Sequence, residues 1–243
     1  MVRRDGMSNA PQASMPAARQ RQRPPEMPGA RQFVPAEHTL AAMRARVTAC
    51  RGCPLYRDAT QAVFGEGGEH ARVMLIGEQP GDAEDLAGRP FVGPAGRVLD
   101  DALAAAGIPR GDAYVTNVVK HFKFTRRGKR RMHDKPTRYE VEACAPWLAG
   151  ELEAVAPDIV VMLGATAAQA LLGAAFRVTK EHGVERETAL ARHTFATVHP
   201  ASVLRAPDEA SRRQARDDFF SDLQVVGACY RRVLAAAAAA ARG

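Results

Sequence analysis

Short apolar segments alternate with helical segments along this chain, and that alternation limits its possible folds more than any other feature. Four segments have the character of strands: "ARVMLIG", "DAYVTNVVK", "PDIVVMLG" and "HTFATVHP". Helical spacing lies between them, and one helix is predicted to begin at a Thr137 cap with Glu140 three residues later. Strands separated by helices indicate a parallel sheet covered on both faces. We therefore predict an α/β fold, a three-layer αβα sandwich around a mostly parallel four-stranded sheet.

The ends of the chain differ from this central pattern. Residues 1–36 are rich in Pro, Arg and Gln without periodicity, which predicts a disordered basic tail. Residues 37–234 form the predicted domain, and residues 235–243 an alanine-rich tail with the character of a helical extension. Apolar runs stay below the roughly 18 residues that a membrane span needs, and no signal-peptide core is present. A cytoplasmic protein without membrane contact is predicted.

Positive charge is concentrated in two places. The formal net charge is +7, and residues 120–138 hold nine Lys and Arg against a single Asp. Residues 1–36 hold six Arg against two acids, so the rest of the chain is acidic. A concentrated basic patch is typical of a surface that binds a polyanion such as nucleic acid. A solvated loop that happens to be basic is the alternative.

Polar and glycine residues follow all four predicted strands. The segments are "GEQPGD", "TNVVKH", "GAT" and "HPAS". Because ligands of parallel sheets bind beyond the carboxyl ends of the strands, these segments are expected to converge on one site. Glu78 would contribute a carboxylate, Phe91 a flat face, and Asn117 an amide that suits the edge of a base. An Asn117 bonded only to backbone and a structural His199 are the alternatives.

Two patterns indicate a metal or redox centre. Cys50 and Cys53 form a C-x-x-C pair, while Cys144 and Cys229 lie far downstream. A cytoplasmic protein would not keep these cysteines as structural disulfides, and two of them cannot complete a four-ligand site. The basic stretch "KHFKFTRRGKRRMHDKP" adds two histidines, whose neutral rings carry a free lone pair.

These motifs together resemble the uracil-DNA glycosylase superfamily. The resemblance rests on "GEQPGDAED…GRPFVGPAGRVLD", "YVTNVVK", "LGATAAQALLG" and "TVHP", and it covers residues 40–230. It is closest to the family 4 iron–sulfur branch, and within it to UdgX-type enzymes. These combine "GEQPG" with a basic insertion ending in Arg-Ile-His, for which this chain has "TRRGKRRMH". The resemblance implies a monomer that excises uracil from DNA, preferably single-stranded.

The resemblance also implies a cofactor. Family 4 members hold a [4Fe–4S] cluster with a C-x-x-C pair, a residue directly after "VVK" and a cysteine in the next helix. The corresponding residues here are Cys50, Cys53, His121 and Cys144. Imidazole replaces thiolate at iron in Rieske centres, so His121 is an acceptable ligand. Zinc in a Cys₃His site is the alternative on chemistry alone, and Cys229 is interpreted as a bystander.

The remaining site residues carry their roles by the same resemblance. His133 is predicted to attack C1′ of the sugar and stay bonded to it, its ring kept neutral by the surrounding cations. Glu78 and His199 are the other predicted catalytic residues. Phe91 would stack on the flipped uracil and Asn117 would read its edge. The rest of the predicted substrate-binding set is Gly77, Gln79, Gly81, Asp82 and His199, and the predicted DNA contacts are Lys129, Arg130 and Arg131.

Three alternatives to this interpretation stay open. His133 would serve only as a phosphate contact in the first, and the enzyme would release free abasic DNA in the second. In the third, the protein would bind lesions without catalysis. The chain also departs from the usual "HPSS" of UdgX-type proteins, because Ala201 replaces a hydroxyl residue. Weaker DNA contact is the expected effect.

Overall fold

The central sheet has the predicted architecture. A computed structural model describes residues 28–242. Its four central strands are β1 (Val73–Gly77), β2 (Ala113–Asn117), β5 (Ile159–Leu163) and β6 (His193–Thr197). They are all parallel, in the order β2-β1-β5-β6. A separate two-stranded antiparallel sheet consists of β3 (Phe124–Arg127) and β4 (Arg130–His133).

Helices cover the central sheet on both faces. They are α1 (Leu40–Val47), α2 (Asp82–Ala87), α3 (Pro94–Ala105), α4 (Arg138–Val155), α5 (Ala165–Leu172), α6 (Val178–Glu181), α7 (Pro200–Leu204) and α8 (Glu209–Ala240). Helix α4 begins at the predicted cap, where Glu140 N–H donates to Thr137 Oγ1 and Thr137 N–H donates to Glu140 Oε2. No helix within residues 28–242 has both the length and the apolar character needed to cross a membrane.

Alternate residues of β1 divide the core between the two faces. Met74 and Ile76 pack with α1, α4 and α5, while Val73 and Leu75 pack with α3, α7 and α8. All five residues of β1 are buried, as in a strand covered on both sides. The predicted three-layer αβα sandwich is therefore confirmed.

The two ends of the predicted domain lead into segments with defined structure. Most of the predicted N-terminal tail lies outside the described residues, but residues 29–34 contact the domain. Ala30 is 1% exposed and its N–H donates to Ala143 O, so ordered structure begins before residue 37. At the other end, α8 continues unbroken through Ala240, the helical form predicted for the alanine tract.

The basic stretch forms a hairpin where only a loop was expected. Strands β3 and β4 are joined by a two-residue turn, with Arg127 paired to Arg130 and Phe124 to His133. Gly128 has a φ of +59° at the first turn position, the conformation that a type II′ hairpin turn requires. This hairpin projects beyond the carboxyl ends of the central strands and carries His133.

Candidate active site

A cavity of about 420 Å³ lies at the carboxyl ends of the four central strands. Each strand supplies part of its wall, because Glu78 follows β1, Asn117 ends β2, Thr166 lies just beyond β5 and His199 just beyond β6. The hairpin contributes His133. The strand-end segments expected to converge therefore do so, as the geometry of a parallel sheet dictates.

Asn117 and Phe91 form the inner part of the cavity. Asn117 is 3% exposed, and its Oδ1 is the single buried side-chain N or O atom without a partner among the described residues. Gly77 makes this arrangement possible, because a Cβ there would lie 2.4 Å from that oxygen and 2.8 Å from Phe91 Cζ. An unpaired buried acceptor is costly, so this oxygen indicates a ligand that brings a donor.

The backbone of Phe91 is held in an unusual conformation. Its φ of +55° lies in the left-handed region, which a bulky residue adopts only when its surroundings impose it. Gly96 packs directly under it, since a Cβ at Gly96 would lie 1.6 Å from Phe91 O. The Phe91 ring is roughly parallel to the His199 ring, at 6.2 Å and 22°. A flat ligand whose edge faces the Asn117 amide would place its face against the Phe91 ring.

Glu78 is an ionised carboxylate beside the hairpin. Burial alone would raise its pKa, but hydrogen bonds from His133 and Thr166 lower it below its usual value. The Thr166 hydroxyl donates to Glu78 Oε2, and His133 Nε2 lies 3.3 Å from Glu78 Oε1. The carboxylate thus stays charged at neutral pH inside a largely apolar cavity.

His199 is neutral and presents a donor. Burial lowers its pKa to about 4, against the opposing influence of Glu78. Its Nδ1 accepts a hydrogen bond from Ala201 N–H at 3.2 Å, so the proton of the neutral ring resides on Nε2. A neutral imidazole N–H can stabilise negative charge that develops on a bound ligand.

Gln79 fixes the base of the hairpin and, with it, His133. Its side-chain nitrogen donates to Lys123 O at 3.2 Å and Asp134 O at 3.0 Å, and its oxygen accepts from Lys123 N–H at 3.0 Å. The same nitrogen lies 2.9 Å from His133 Nε2. Gln79, predicted to bind substrate, therefore holds both sides of the hairpin in the structure and faces the cavity from there.

Arg131, a predicted DNA contact, forms ion pairs within the protein. Its side chain is 11% exposed, and it donates to Asp82 Oδ1 and to Asp85 Oδ2, each at 2.5 Å. The guanidinium also lies over the Phe122 and Phe124 rings. Asp82, predicted to bind substrate, is outside the cavity lining and pairs with Arg131 instead. These ion pairs anchor strand β4 to helix α2.

Other cationic side chains of the hairpin are exposed to solvent. Lys129 and Arg130, two of the predicted DNA contacts, are exposed at the hairpin tip together with Arg126 and Arg127.

Several residues that line the cavity were given no role in the sequence analysis. Thr166 lies in the "GAT" segment that was expected to converge on the site. Arg205 lies shortly after "HPAS", so the strand-end argument, extended by a few residues, would have found it. Glu84 lies in α2 and accepts from Gly81 N–H and Gly93 N–H.

The predicted cluster ligands come from three segments that meet on the α1–α4 face. Cys50, Cys53 and Cys144 are free thiols, all buried in one apolar cluster. Burial is the main reason that the pKa of Cys53 is raised to about 11 and that of Cys144 to about 12. Two N–H groups point at sulfur, Lys120 N to Cys144 Sγ and Trp147 Nε1 to Cys50 Sγ, both 3.3 Å.

His121 directly follows Lys120, whose N–H contacts Cys144 Sγ. It is 4% exposed, and burial lowers its pKa to about 4, with the charge of Arg51 in the C-x-x-C turn acting in the same direction. A neutral ring has the lone pair that a metal needs. Buried thiols with N–H···S contacts and a neutral imidazole are the donor set of an iron–sulfur group, so the residues fit it.

A buried ion pair joins this region to the cavity. Lys120 Nζ donates to Glu151 and also to Asn117 O at 2.9 Å, and the two charged side chains are at most 1% exposed. Glu151 Oε1 accepts from Gly65 N–H and Tyr114 OH, each at 3.0 Å. Because Lys120 N–H contacts Cys144 Sγ, one residue contacts both Asn117 at the end of β2 and a buried cysteine.

Cys229 lies apart from these cysteines, near the amino end of β6. Its neighbours are Glu185 and His193, which form an ion pair at 2.7 Å. Arg232 holds the other carboxylate oxygen of Glu185 at 2.6 Å. The charged groups are thus already paired with each other, and Cys229 packs beneath them as a buried residue.

Comparisons with known proteins agree with this site. The family model for the uracil DNA glycosylase superfamily matches residues 64–224. A type-4 uracil-DNA glycosylase of Thermotoga maritima is 37% identical over 183 residues, covering 75% of this chain and 92% of that protein. One of Archaeoglobus fulgidus is 38% identical over 189 residues, covering 74% and 88%. A type-5 uracil-DNA glycosylase of Pyrobaculum aerophilum is 35% identical over 150 residues, covering 54% and 62%.

Proposed function

This chain belongs to the uracil-DNA glycosylase superfamily, and from that premise we propose that it excises uracil from DNA and then bonds covalently to the abasic sugar through His133. The observation that carries the proposal is the unpaired Asn117 Oδ1 at the inner end of a cavity that also holds Phe91, Glu78 and His199. The covalent step is the more specific part of this proposal, and it rests on the position of His133 beside Glu78.

Recognition begins when the uracil leaves the base stack and enters the cavity. The N3–H of uracil is the donor that Asn117 Oδ1 lacks, and the amide nitrogen of Asn117 would donate to the neighbouring carbonyl oxygen. Phe91 would stack on the face of the ring. Exposed Lys129 and Arg130 at the hairpin tip, with Lys135 and Arg205 at the cavity, would attract the phosphates of a single strand.

Cleavage of the glycosidic bond separates charge, and the cavity has a group for each charge. The electron pair of the bond leaves with uracil, whose anion would accept a hydrogen bond from His199 Nε2–H. The sugar becomes cation-like at C1′, and the ionised Glu78 would stabilise it electrostatically. Both groups are already in the required protonation states, because the pKa of Glu78 and that of His199 are lowered.

His133 lines the cavity beside Glu78, a position from which it could capture the sugar. Glu78 Oε1, which lies 3.3 Å from His133 Nε2, would accept the proton of that nitrogen. The lone pair so exposed would form a bond to C1′ as the bond from C1′ to uracil is lost. The alkylated ring is then neutral, and Glu78 releases the proton to solvent. Uracil anion takes a proton from water on release, so atoms and charge balance.

A denaturing gel tests this proposal directly. Protein mixed with a uracil-containing single-stranded oligonucleotide should give a slowly migrating band that survives denaturation. The same oligonucleotide with thymine in place of uracil is the control. Free abasic DNA without the band would favour a glycosylase that turns over, and intact DNA would contradict both forms of the proposal.

The uracil pocket leads to a prediction for Asn117. Asn117→Ala should slow uracil excision roughly tenfold to a hundredfold, because a buried hydrogen bond to the base is lost. Single-turnover excision rates measure the effect. Gln224→Ala, which removes an exposed side-chain amide on α8, should leave the rate unchanged. An Asn117→Ala protein with the wild-type rate would remove Asn117 from the site.

We also propose a [4Fe–4S] cluster held by Cys50, Cys53, His121 and Cys144, which would cross-link three chain segments. Purified protein should be brown with about four irons per chain. His121→Cys should keep its iron, because thiolate is the commoner ligand, whereas Cys144→Ala should lose it. Cys229→Ala is the matched control and should retain wild-type iron. One equivalent of zinc in a colourless protein would contradict the cluster and favour the zinc alternative.

A further inference from the structure

Residues 29–34 pack across the surface of the proposed cluster site, and we call them the strap. Ala30 is 1% exposed and lies in the same apolar cluster as the three cysteines, with Phe33 and Val34 packed against that cluster. The strap closes on itself through a turn, since Phe33 N–H donates to Ala30 O at 2.8 Å. Gly29 enters it with a φ of +72°, which favours glycine.

Two backbone hydrogen bonds connect the strap to both cysteine-bearing segments. Gly29 N–H donates to Gly52 O at 3.1 Å, and Gly52 lies between Cys50 and Cys53. Ala30 N–H donates to Ala143 O at 2.8 Å, and Ala143 directly precedes Cys144. Adjacent residues of the strap thus bridge the C-x-x-C turn and helix α4.

The approach of the strap to the C-x-x-C turn depends on a glycine. A Cβ at Gly52 would lie 2.6 Å from Ala30 N and 2.6 Å from Gly29 C. Both of these atoms are backbone, so they cannot rotate away as the end of a flexible side chain could. Any larger residue at position 52 has to push the strap off the turn.

We propose that the strap is part of the cofactor site, where it holds the C-x-x-C turn against α4 and shields the cluster from solvent. The inference rests on the proposed iron–sulfur centre. It assigns a role to a segment whose sequence has no apolar periodicity, and it predicts that the stability of the cofactor depends on residues that are not ligands.

Displacing the strap should make the cluster labile. Gly52→Ala and Ala30→Glu should each speed the loss of visible absorbance and of iron from the full-length holoprotein by about tenfold or more, in air or with excess chelator, because two hydrogen bonds and an apolar cover are removed. Gly111→Ala is the matched control, since a Cβ there meets nothing within 4 Å. Its cluster should decay at the wild-type rate.

A second measurement needs no variant. Hydrogen exchange of the wild-type holoprotein should find the amides of Gly29 and Ala30 protected, whereas immediate exchange would overturn the proposal. Equal cluster lifetimes in wild type, Gly52→Ala and Ala30→Glu would also overturn it, with the iron–sulfur centre left standing. Wild-type protein without iron would instead remove the cofactor, and the role of the strap with it.

Discussion

Replacing His133 with serine is expected to abolish the denaturation-resistant band while uracil excision continues. The groups proposed to break the glycosidic bond are Glu78, Asn117 and His199, which lie at the ends of the central strands and not on the hairpin. Serine is too short and too weak a nucleophile to replace the imidazole, so water would add to C1′. The reaction should leave abasic DNA, detected by alkaline cleavage, with excision slowed by no more than about tenfold for one lost hydrogen bond.

His70→Ser is the matched control, because His70 is an exposed histidine outside the cavity lining. It should form the adduct as wild type does. If His133 only held a phosphate, neither the wild type nor either variant would form the band. The weaker DNA binding of His133→Ser would then approach that of wild type at low salt, where other cations compensate. A resistant adduct with His133→Ser would mean that the nucleophile lies elsewhere.

Glu78→Gln should slow both excision and capture by about a hundredfold to a thousandfold, the usual cost of removing a preorganised electrostatic group. The substitution keeps the shape of the side chain and an oxygen that can accept from Thr166, but it removes the charge proposed to stabilise the sugar cation. Single-turnover excision and the rate of adduct formation measure the two steps. Glu187→Gln, at an exposed position, controls for loss of one negative charge.

The outcome for Glu78→Gln distinguishes two roles of the carboxylate. Slow excision with capture keeping pace places the charge in the cleavage step. Fast excision with slow capture would restrict Glu78 to orienting His133. Wild-type rates for both steps would exclude Glu78 from the reaction.

The central sheet could be predicted because its strands are buried on both faces and therefore appear as continuous apolar segments. The hairpin could not, since the residues of β3 and β4 are mostly exposed cations without apolar alternation, and their pairing is set by Gly128 and by Gln79. The strap was missed for a related reason. Its position depends on backbone hydrogen bonds and on the absence of a side chain at Gly52, and neither leaves a periodic pattern.

The candidate site could likewise be predicted from the sequence only in part. Glu78, Asn117 and His199 follow strands, so topology alone brings them together. The ion pairs of Arg131 could not be predicted, because charge density along the chain cannot separate an arginine facing solvent from one paired with Asp82 and Asp85, more than forty residues away. Phe91 was named from its residue type, but its left-handed φ could not be inferred from that type.

The hairpin shares no strand pairing with the central sheet in the part of the chain that the structure describes, and side chains such as Gln79 and Arg131 attach it. In the proposed function, excision and capture would therefore depend on physically separate parts of one molecule. A protein that keeps its product is consumed with each lesion, so the number of molecules, and not their turnover rate, would set how many uracils a cell can mark. If the proposed capture occurs, exchanging the hairpin would convert a protein that is consumed by its product into an enzyme that turns over, without rebuilding the core.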